Sequence, residues 1–238
     1  GLLIANPKIV DNPKRIEYIT YYELRELSYM GANVLHDEAI FPVKMKNIPI
    51  NIRNTNSPDN PGTMILSDCS LQDEQEAPHF ITGISGKKNF SVISISKSQV
   101  SSEIGALRRS LQIFEDFNVV IEGVHVGVDT FSIVVSTESI ERVIYEIMAR
   151  IKDEIKSDSV SLVDHIALIA IVGRGMSNKP GMSGKLFAEL GLHDINIKTI
   201  NQGVDEIDII IGVENRDFEK TIRCIYDRFI TRGDTVWK

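Results

Sequence analysis

The sequence predicts a mixed α/β and α+β fold, in which two copies of a βαββαβ unit follow a smaller αβ segment. The prediction rests on a repeat. Residues 90–145 and 166–226 each run through an alternating apolar strand, an amphipathic helix, two more strands and a second amphipathic helix. Two helices against one antiparallel sheet form a ferredoxin-like unit. A duplicated unit of this kind is more typical of a sensing or assembly module than of a catalytic centre.

The two copies match segment by segment. Residues 90–95 correspond to residues 166–171, and residues 131–135 correspond to residues 207–211. Apolar residues at helical spacing predict one buried face on each helix. The predicted core-facing residues are Ile104, Leu107, Leu111, Phe114, Ile140, Ile144, Ile147 and Ile151 in the first copy, and Met182, Leu186, Phe187, Leu190, Phe218, Ile222, Ile225 and Phe229 in the second. The strands after the first helices are expected at 119–121 and 195–197, and Gly191 is expected as a left-handed helix cap.

Each βαββαβ unit needs a fourth strand, and the sequence leaves its source open. For the first unit, residues 159–163 and the end of the chain, within 232–238, both fit. The predicted domain limits are 1–66 for the αβ segment, 67–79 for a polar, acidic linker, 80–158 for the first unit and 159–231 for the second.

Composition narrows the function classes. The 238 residues are 42% hydrophobic, enough for two or three cores, and no apolar run approaches the roughly 20 residues of a membrane span. A net charge of -7 argues against nucleic-acid binding. Cys69 and Cys224 have no ligand-spaced partner, so neither a metal site nor a disulfide is predicted, and a reducing cytoplasm fits. The chain opens without Met, and we expect it to be a fragment.

The first third carries local signals of its own. Thr20 and Glu23 have the spacing of a capping box, which predicts a helix that buries Leu24 and Leu27 and stops near Gly31. A second helix is expected over 38–46, and strands over 47–53 and 63–66.

Two glycine motifs invite a nucleotide-binding interpretation and fail on spacing. The segment 181–185 lacks the first Gly and the final Ser or Thr of a phosphate loop. The Gly173-Arg174-Gly175 motif lacks the third glycine of a dinucleotide fingerprint, because Asn178 stands there.

A succession of motifs resembles the C-terminal part of aspartokinases. Residues 19–27, 31–36, 47–55 and 61–63 resemble the end of their catalytic domain. Residues 81–84 resemble the start of their regulatory region, and 171–181 with 195–203 resemble their second ACT domain. The resemblance implies the C-terminal portion of an amino-acid kinase αβα domain followed by two ACT domains.

The resemblance also implies a parent activity. Aspartokinases transfer phosphate from ATP, with Mg²⁺, to the side-chain carboxylate of L-aspartate, at the start of lysine, threonine and methionine biosynthesis. The family's catalytic residues are expected upstream of Gly1, so this chain should hold no catalytic residue, no metal and no cofactor, and should be inactive alone. Lys8 and Asn33 stand where many members have Arg and Lys near the nucleotide, and are the candidate ATP contacts.

Two effector sites are predicted at the strand-to-helix corners. The resemblance to lysine-sensitive members implies a first site of Ser101, Ser102, Glu103, Ile104, Gly105, Ala106, Val120, Ile121 and Glu122. There Glu122 would select a cationic side chain, although solvated Glu103 and Glu122 remain the alternative. A second possible site comprises Asn178, Pro180, Gly181, Met182, Asn196 and Ile197. Backbone N–H groups at that helix start would hold an α-carboxylate, and a plain turn is the equal alternative.

The predicted partners are an amino-acid effector, lysine or threonine, and a second copy of the chain paired through sheet edges. No nucleic acid and no membrane is expected. A stand-alone amino-acid-binding ACT protein and a purely structural dimerisation module are the competing interpretations.

Overall fold

The computed structural model describes residues 1–32, 35, 37–68, 80–99, 103–177 and 179–232. The chain divides into two compact units, one of residues 1–87 with 168–238 and one of residues 88–167. Of the predicted linker, only residues 67 and 68 lie within the described part. None of the helices described here has the length and apolar character needed to cross a bilayer.

The first segment forms a small three-stranded sheet with two helices. Strand β1 (Tyr18–Thr20) pairs parallel with β3 (Thr63–Leu66), and β2 (Ile50–Ile52) pairs antiparallel with β3. Helix α1 spans Tyr21–Tyr29 and α2 spans Asp37–Lys44. The predicted capping box is confirmed: the Glu23 N–H donates to Thr20 Oγ1 at 3.2 Å, and the Thr20 N–H donates to the Glu23 carboxylate at 2.9 Å.

The unit of residues 88–167 holds the first repeat. Its elements are β4 (Gly83–Ser96), α3 (Ala106–Asp116), β5 (Ile121–Val126), β6 (Thr130–Ser136), the short α4 (Thr137–Ile140), α5 (Ile144–Ile155) and β7 (Ser159–Val172), with β4 and β7 extending past its limits. The strand order β5-β6-β4-β7 is that of a ferredoxin-like unit, closed by residues 159–167. The other candidate for this strand, 233–238, lies outside the described residues.

The second repeat continues from the far half of β7. It contains α6 (Met182–Leu192), β8 (Thr199–Gln202), β9 (Asp208–Glu214) and α7 (Phe218–Tyr226), which a π-helical turn at Asp227–Thr231 follows. Its strands follow the order β4-β7-β9-β8, so its fourth strand is residues 83–87, which precede the first repeat in the chain. The first repeat is therefore inserted into the second.

This arrangement corrects the expectation of two separate ferredoxin-like sheets. The strand order β5-β6-β4-β7-β9-β8 is a single six-stranded sheet. Strands β4 and β7 each have 14 residues, more than twice the usual strand length of about 5–6 residues. Hydrogen bonds from Thr82 N–H to Val172 O (2.7 Å) and from Asp158 N–H to Ser96 O (2.8 Å) mark the two ends of their antiparallel pairing.

Most predicted helix faces are confirmed. Ile140, Ile144, Ile147 and Ile151 are at most 8% exposed, and Phe218, Ile222, Ile225 and Phe229 are also buried. The expected face of the first repeat's opening helix is wrong at its start, because Ile104 precedes α3 and is 97% exposed. Ile113, together with Phe114, fills that core instead. Phe187 on α6 is only half-buried.

The two helix-to-strand turns are also alike, and they explain why β5 and β8 start later than predicted. Val119 N–H donates to Phe114 O at 2.9 Å, and Ile195 N–H donates to Leu190 O at 3.0 Å, each after a left-handed residue. This is the pattern of a Schellman cap, in which the apolar residue packs back on the helix. The left-handed residue of the second copy is Asp194 (φ 53°), so the prediction of Gly191 as the cap is wrong.

Candidate effector sites at the two strand-to-helix corners

At both corners, a glycine with a positive φ angle directly precedes the helix. Helix α3 follows Gly105 at φ 82°, and α6 follows Gly181 at φ 87°. Within the described residues no side chain caps either helix, so backbone N–H groups of the first turn point out of each helix start. Such N–H groups, with the positive end of the helix dipole, suit a carboxylate. The sequence comparison of the repeats missed that Gly105 matches Gly181, because only Gly181 follows a proline.

At the first corner, Lys97 of the chain itself already forms an ion pair with Glu103. The Lys97 ammonium lies 2.5 Å from Glu103 and also donates to Ile155 O at 2.5 Å, while Arg109 pairs with the other oxygen of Glu103. The hydrogen bond from Lys97 is the main cause that lowers the pKa of Glu103. A ligand ammonium at Glu103 would therefore have to displace Lys97.

The other predicted residues of the first site differ in exposure. Ile104 and Val120 are 97% and 67% exposed, whereas Ala106 is buried at 1%. Ile121 and Glu122 begin β5 and are half-buried. Ser101 and Ser102 lie outside the described residues.

The second corner borders an open cavity of about 220 Å³. Its lining is Met176, Lys179, Pro180, Gly181, Met182, Ser183, Gly184, Gln202, Glu206 and Ile209. Three of the predicted residues are in that set, Pro180, Gly181 and Met182. Asn196 and Ile197 are not among them, because both precede β8, and Asn178 lies outside the described residues.

The sequence analysis missed Gln202 and Glu206, which the β8–β9 hairpin brings opposite the start of α6. Ser183 Oγ donates to Gln202 Oε1 at 3.3 Å across this gap. The cavity therefore has N–H donors and Lys179 for an α-carboxylate, and the oxygens of Gln202 and Glu206 for an α-ammonium. It is smaller than the ~300 Å³ at which drug-sized pockets begin, a size suited to a single amino acid.

A buried carboxylate ties helix α1 to the loop that leads into this cavity. Glu23 is 0% exposed. Its oxygens accept hydrogen bonds from Thr82 Oγ1 at 2.6 Å, from the Arg174 N–H at 3.0 Å and from the Arg174 guanidinium at 2.9 and 3.2 Å. Arg174 opens the 3-10 turn Arg174–Met176, and Met176 lines the cavity. The Glu23 carboxylate thus links three segments by hydrogen bonds: α1, the residues before β4 and the loop after β7.

The Gly173-Arg174-Gly175 motif makes the contact between Glu23 and Arg174 possible. A Cβ on Gly173 would lie 2.2 Å from Phe80 O, and one on Gly175 would lie 3.0 Å from Phe80 Cα. The glycines therefore let the backbone before β4 approach the loop after β7, and Arg174 between them reaches Glu23. Close backbone packing, and not phosphate binding, accounts for the motif.

Helix α1 also contacts the hairpin on the other side of the cavity. The Tyr22 hydroxyl donates to Asp205 Oδ2 at 2.9 Å, and Asp205 O accepts from Ser177 Oγ at 3.0 Å. Burial, followed by the charge of Asp208, raises the pKa of Glu26. Burial, followed by the charge of Asp205, raises the pKa of Asp208. The hairpin thus presents a partly desolvated acidic cluster to α1.

The candidate nucleotide contacts lie far from these corners in sequence. Lys8 is exposed, and its N–H donates to Asn6 Oδ1 at 2.9 Å. Asn6 and Pro7 border a largely apolar cavity of about 320 Å³, whose lining does not include Lys8. Asn33 lies outside the described residues.

Two protein families match this chain, one in the first segment and one in the second repeat. Residues 1–54 match the amino acid kinase family, and residues 169–229 match the ACT domain. Aspartokinase 3 of Bacillus subtilis is 36% identical over 226 residues, which cover 94% of this chain and 49% of that protein. The chain thus spans about half the length of this relative.

Solved structures extend the comparison to the fold. The crystal structure of Clostridium acetobutylicum aspartate kinase, described as an allosteric enzyme, has a TM-score of 0.88 and 46% identity, and covers 96% of this chain and 51% of that one. Escherichia coli aspartokinase III, in a T-state complex with lysine and aspartate, has a TM-score of 0.77 over 96% of this chain and 49% of that one. Its 19% identity shows a likeness of fold alone.

Proposed function

Because the chain belongs to the aspartokinases, of which it carries the end of the amino-acid kinase domain and the ACT regulatory region, we propose that it is the regulatory part of a cytoplasmic enzyme that phosphorylates L-aspartate. The phosphate donor is ATP with Mg²⁺, and the product feeds the biosynthesis of lysine, threonine and methionine. In this proposal Lys8 and Asn33 lie near the ATP phosphates, and the chain alone does not turn over.

The proposed role of the ACT region is feedback inhibition by an end-product amino acid, with lysine as the first candidate and threonine as the second. One observation carries the coupling: α1, which belongs to the kinase segment, contacts the loops on both sides of the corner cavity. Glu23 holds Arg174 on one side, and Tyr22 holds Asp205 on the other. An occupant that is bound more tightly in one arrangement of these loops shifts the population of α1 positions.

The structure favours the second corner as the amino-acid pocket. It borders a cavity whose lining includes donors for a carboxylate and acceptors for an ammonium. Glu122 remains the candidate for a lysine side chain at the first corner. The two corners can be separated because each depends on a different carboxylate.

We expect lysine to give a saturable heat of binding when it is titrated calorimetrically into the chain, with threonine as the parallel titration. Replacing Glu206 by Gln should weaken binding by about 10- to 100-fold, since a hydrogen bond to a charged group contributes about 1.5–3 kcal/mol. Glu122→Gln is the matched control and should leave the affinity unchanged. The reverse pattern would move the site to the first corner, and silence with both amino acids would contradict amino-acid sensing by this chain.

We also propose a homodimer through the sheet edges. The edge strands are β5 and β8, and apolar side chains remain exposed on them, with Val126 at 62% and Ile200 at 45%. Uncovered strand edges with apolar residues favour pairing with a second copy. Sedimentation at micromolar concentration should give a dimer, and Val126→Lys should shift it toward monomer if β5 is the edge used. A monomeric wild-type chain would remove the proposal.

A further inference from the structure

Three metal-ligating side chains meet between α6 and α7. Glu189 lies on α6, His193 is the residue directly after that helix and one turn after Glu189, and Cys224 lies on α7. The distance from Cys224 Sγ to His193 Nδ1 is 3.3 Å, and from His193 Nδ1 to Glu189 Oε1 it is 3.6 Å. All three potential ligand atoms lie within 4.8 Å of one another. Sequence spacing does not reveal this cluster, because Cys224 is 31 residues from His193.

These separations fit the edges of a tetrahedral metal site. Zinc bonds are about 2.3 Å to sulfur and about 2.0–2.2 Å to nitrogen or oxygen, so tetrahedral ligands lie roughly 3.4–3.6 Å apart. The observed 3.3 and 3.6 Å lie close to these values. His193 Nδ1 also lies 2.9 Å from Glu189 O, so metal binding must replace the hydrogen bond that it donates there. A thiol, an imidazole and a carboxylate are also the ligand types that zinc-class ions prefer.

We propose that Glu189, His193 and Cys224 form a binding site for a divalent ion of the zinc class, with a water molecule as the fourth ligand. The His193 side chain is 43% exposed, which gives the ion and the water a path from solvent. Cys224 is 6% exposed and forms the inner wall of the site.

An arginine beside the cluster orients one of the proposed ligands. Arg228 Nε lies 3.5 Å from Glu189 Oε2, which orients the carboxylate and leaves Oε1 directed at His193. Burial, followed by the Glu189 charge, raises the pKa of Cys224 to about 11, so an ion that binds has to displace the thiol proton.

The test is a Co²⁺ titration of the 238-residue chain under reducing conditions, followed by the sulfur-to-cobalt charge-transfer absorption in the near ultraviolet. We expect the band to saturate at one equivalent and to disappear when Zn²⁺ is added. Zn²⁺ should also raise the melting temperature, since binding to the native state stabilises it. Cys224→Ser should abolish the band, and Cys69→Ser is the matched control that should keep it.

His193→Gln provides a second variant in case Cys224→Ser does not fold. We expect it to weaken Co²⁺ binding by at least about tenfold, because even partners outside the coordination sphere contribute that much. The proposal is overturned if the wild-type chain shows no band at equivalent cobalt concentration, if the band is lost with Cys69→Ser and not with Cys224→Ser, or if His193→Gln binds as tightly as the wild type. In each of these cases hydrogen bonds alone hold the cluster together, among them the contacts of His193 Nδ1 with Glu189 O at 2.9 Å and with Cys224 Sγ at 3.3 Å.

Discussion

Replacing Arg174 by Ala should lower the free energy of unfolding by about 3 kcal/mol, because it removes the guanidinium from a carboxylate that has no access to water. Breaking one side of a buried ion pair usually costs about 3–5 kcal/mol, since the remaining charge stays buried. Glu23 keeps the hydrogen bonds from Thr20 and Thr82, which places the loss at the lower end of that range. The side chain of Arg174 is 24% exposed and that of Glu23 only 1%, so the cost arises at Glu23.

The measurement is urea denaturation of the wild type and the variant, compared at equal slope. Arg216→Ala is the matched control, because Arg216 also pairs with a glutamate, Glu214, but is 77% exposed. Such a surface pair contributes about 0–1 kcal/mol. A loss for Arg174→Ala no larger than that for Arg216→Ala would contradict the role of Glu23 as the buried tie between α1 and the loop after β7. Glu23→Gln/Arg174→Ala should lose less than the sum of its single variants, since the two groups interact directly.

Replacing Gly173 by Ala should destabilise the chain by about 3 kcal/mol, the upper end of the usual cost of overpacking. The added Cβ would lie 2.2 Å from Phe80 O and 2.9 Å from both Ile81 Cα and Thr82 N. These are backbone atoms held by the pairing of β4 with β7, so they cannot move aside as a flexible side chain would. The φ angle of Gly173 is 175°, an ordinary extended value, and the strain therefore comes from contact alone.

Thermal unfolding provides the measurement, because about 1 kcal/mol corresponds to roughly 2–4 °C in a chain of this size. Gly173→Ala should therefore melt roughly 6–12 °C below the wild type. Gly184→Ala is the matched control: a Cβ there meets nothing within 4 Å, and the site is inside α6, where Ala is favoured over Gly by about 0.5–1 kcal/mol. If both variants melt with the wild type, the close approach of residues 80–82 to the loop is not rigid.

Features that depend on neighbours in the sequence were predictable. The capping box of Thr20 and Glu23 formed as expected, and so did the buried faces of α5 and α7, because helical periodicity alone decides which side chains share a face. The predicted first residues of the helices and strands were less accurate. Ile104 has the right spacing for the α3 face, but Gly105 turns the chain before the helix begins.

The candidate sites also divide into residues that the local sequence indicates and residues that only the tertiary structure brings together. Pro180, Gly181 and Met182 could be assigned to the second corner from the sequence, because a helix start after a Pro-Gly turn has a local signal, and they line its cavity. Gln202 and Glu206 were missed, because only the β8–β9 hairpin brings them opposite that helix. The predicted Asn196 was excluded from the cavity lining by the Schellman turn, which delays the start of β8 by several residues.

By itself, the sequence determined that the chain holds a duplicated βαββαβ unit behind an αβ segment, because alternation and helical periodicity are local properties of the chain. Only the tertiary structure decided that residues 83–87 close the second unit, that Glu23 holds Arg174 across 151 positions and that Cys224 meets His193. The physical reason is that periodicity fixes which face of an element is apolar but not which other element covers it. That choice is made by packing and hydrogen bonding between segments far apart in the chain.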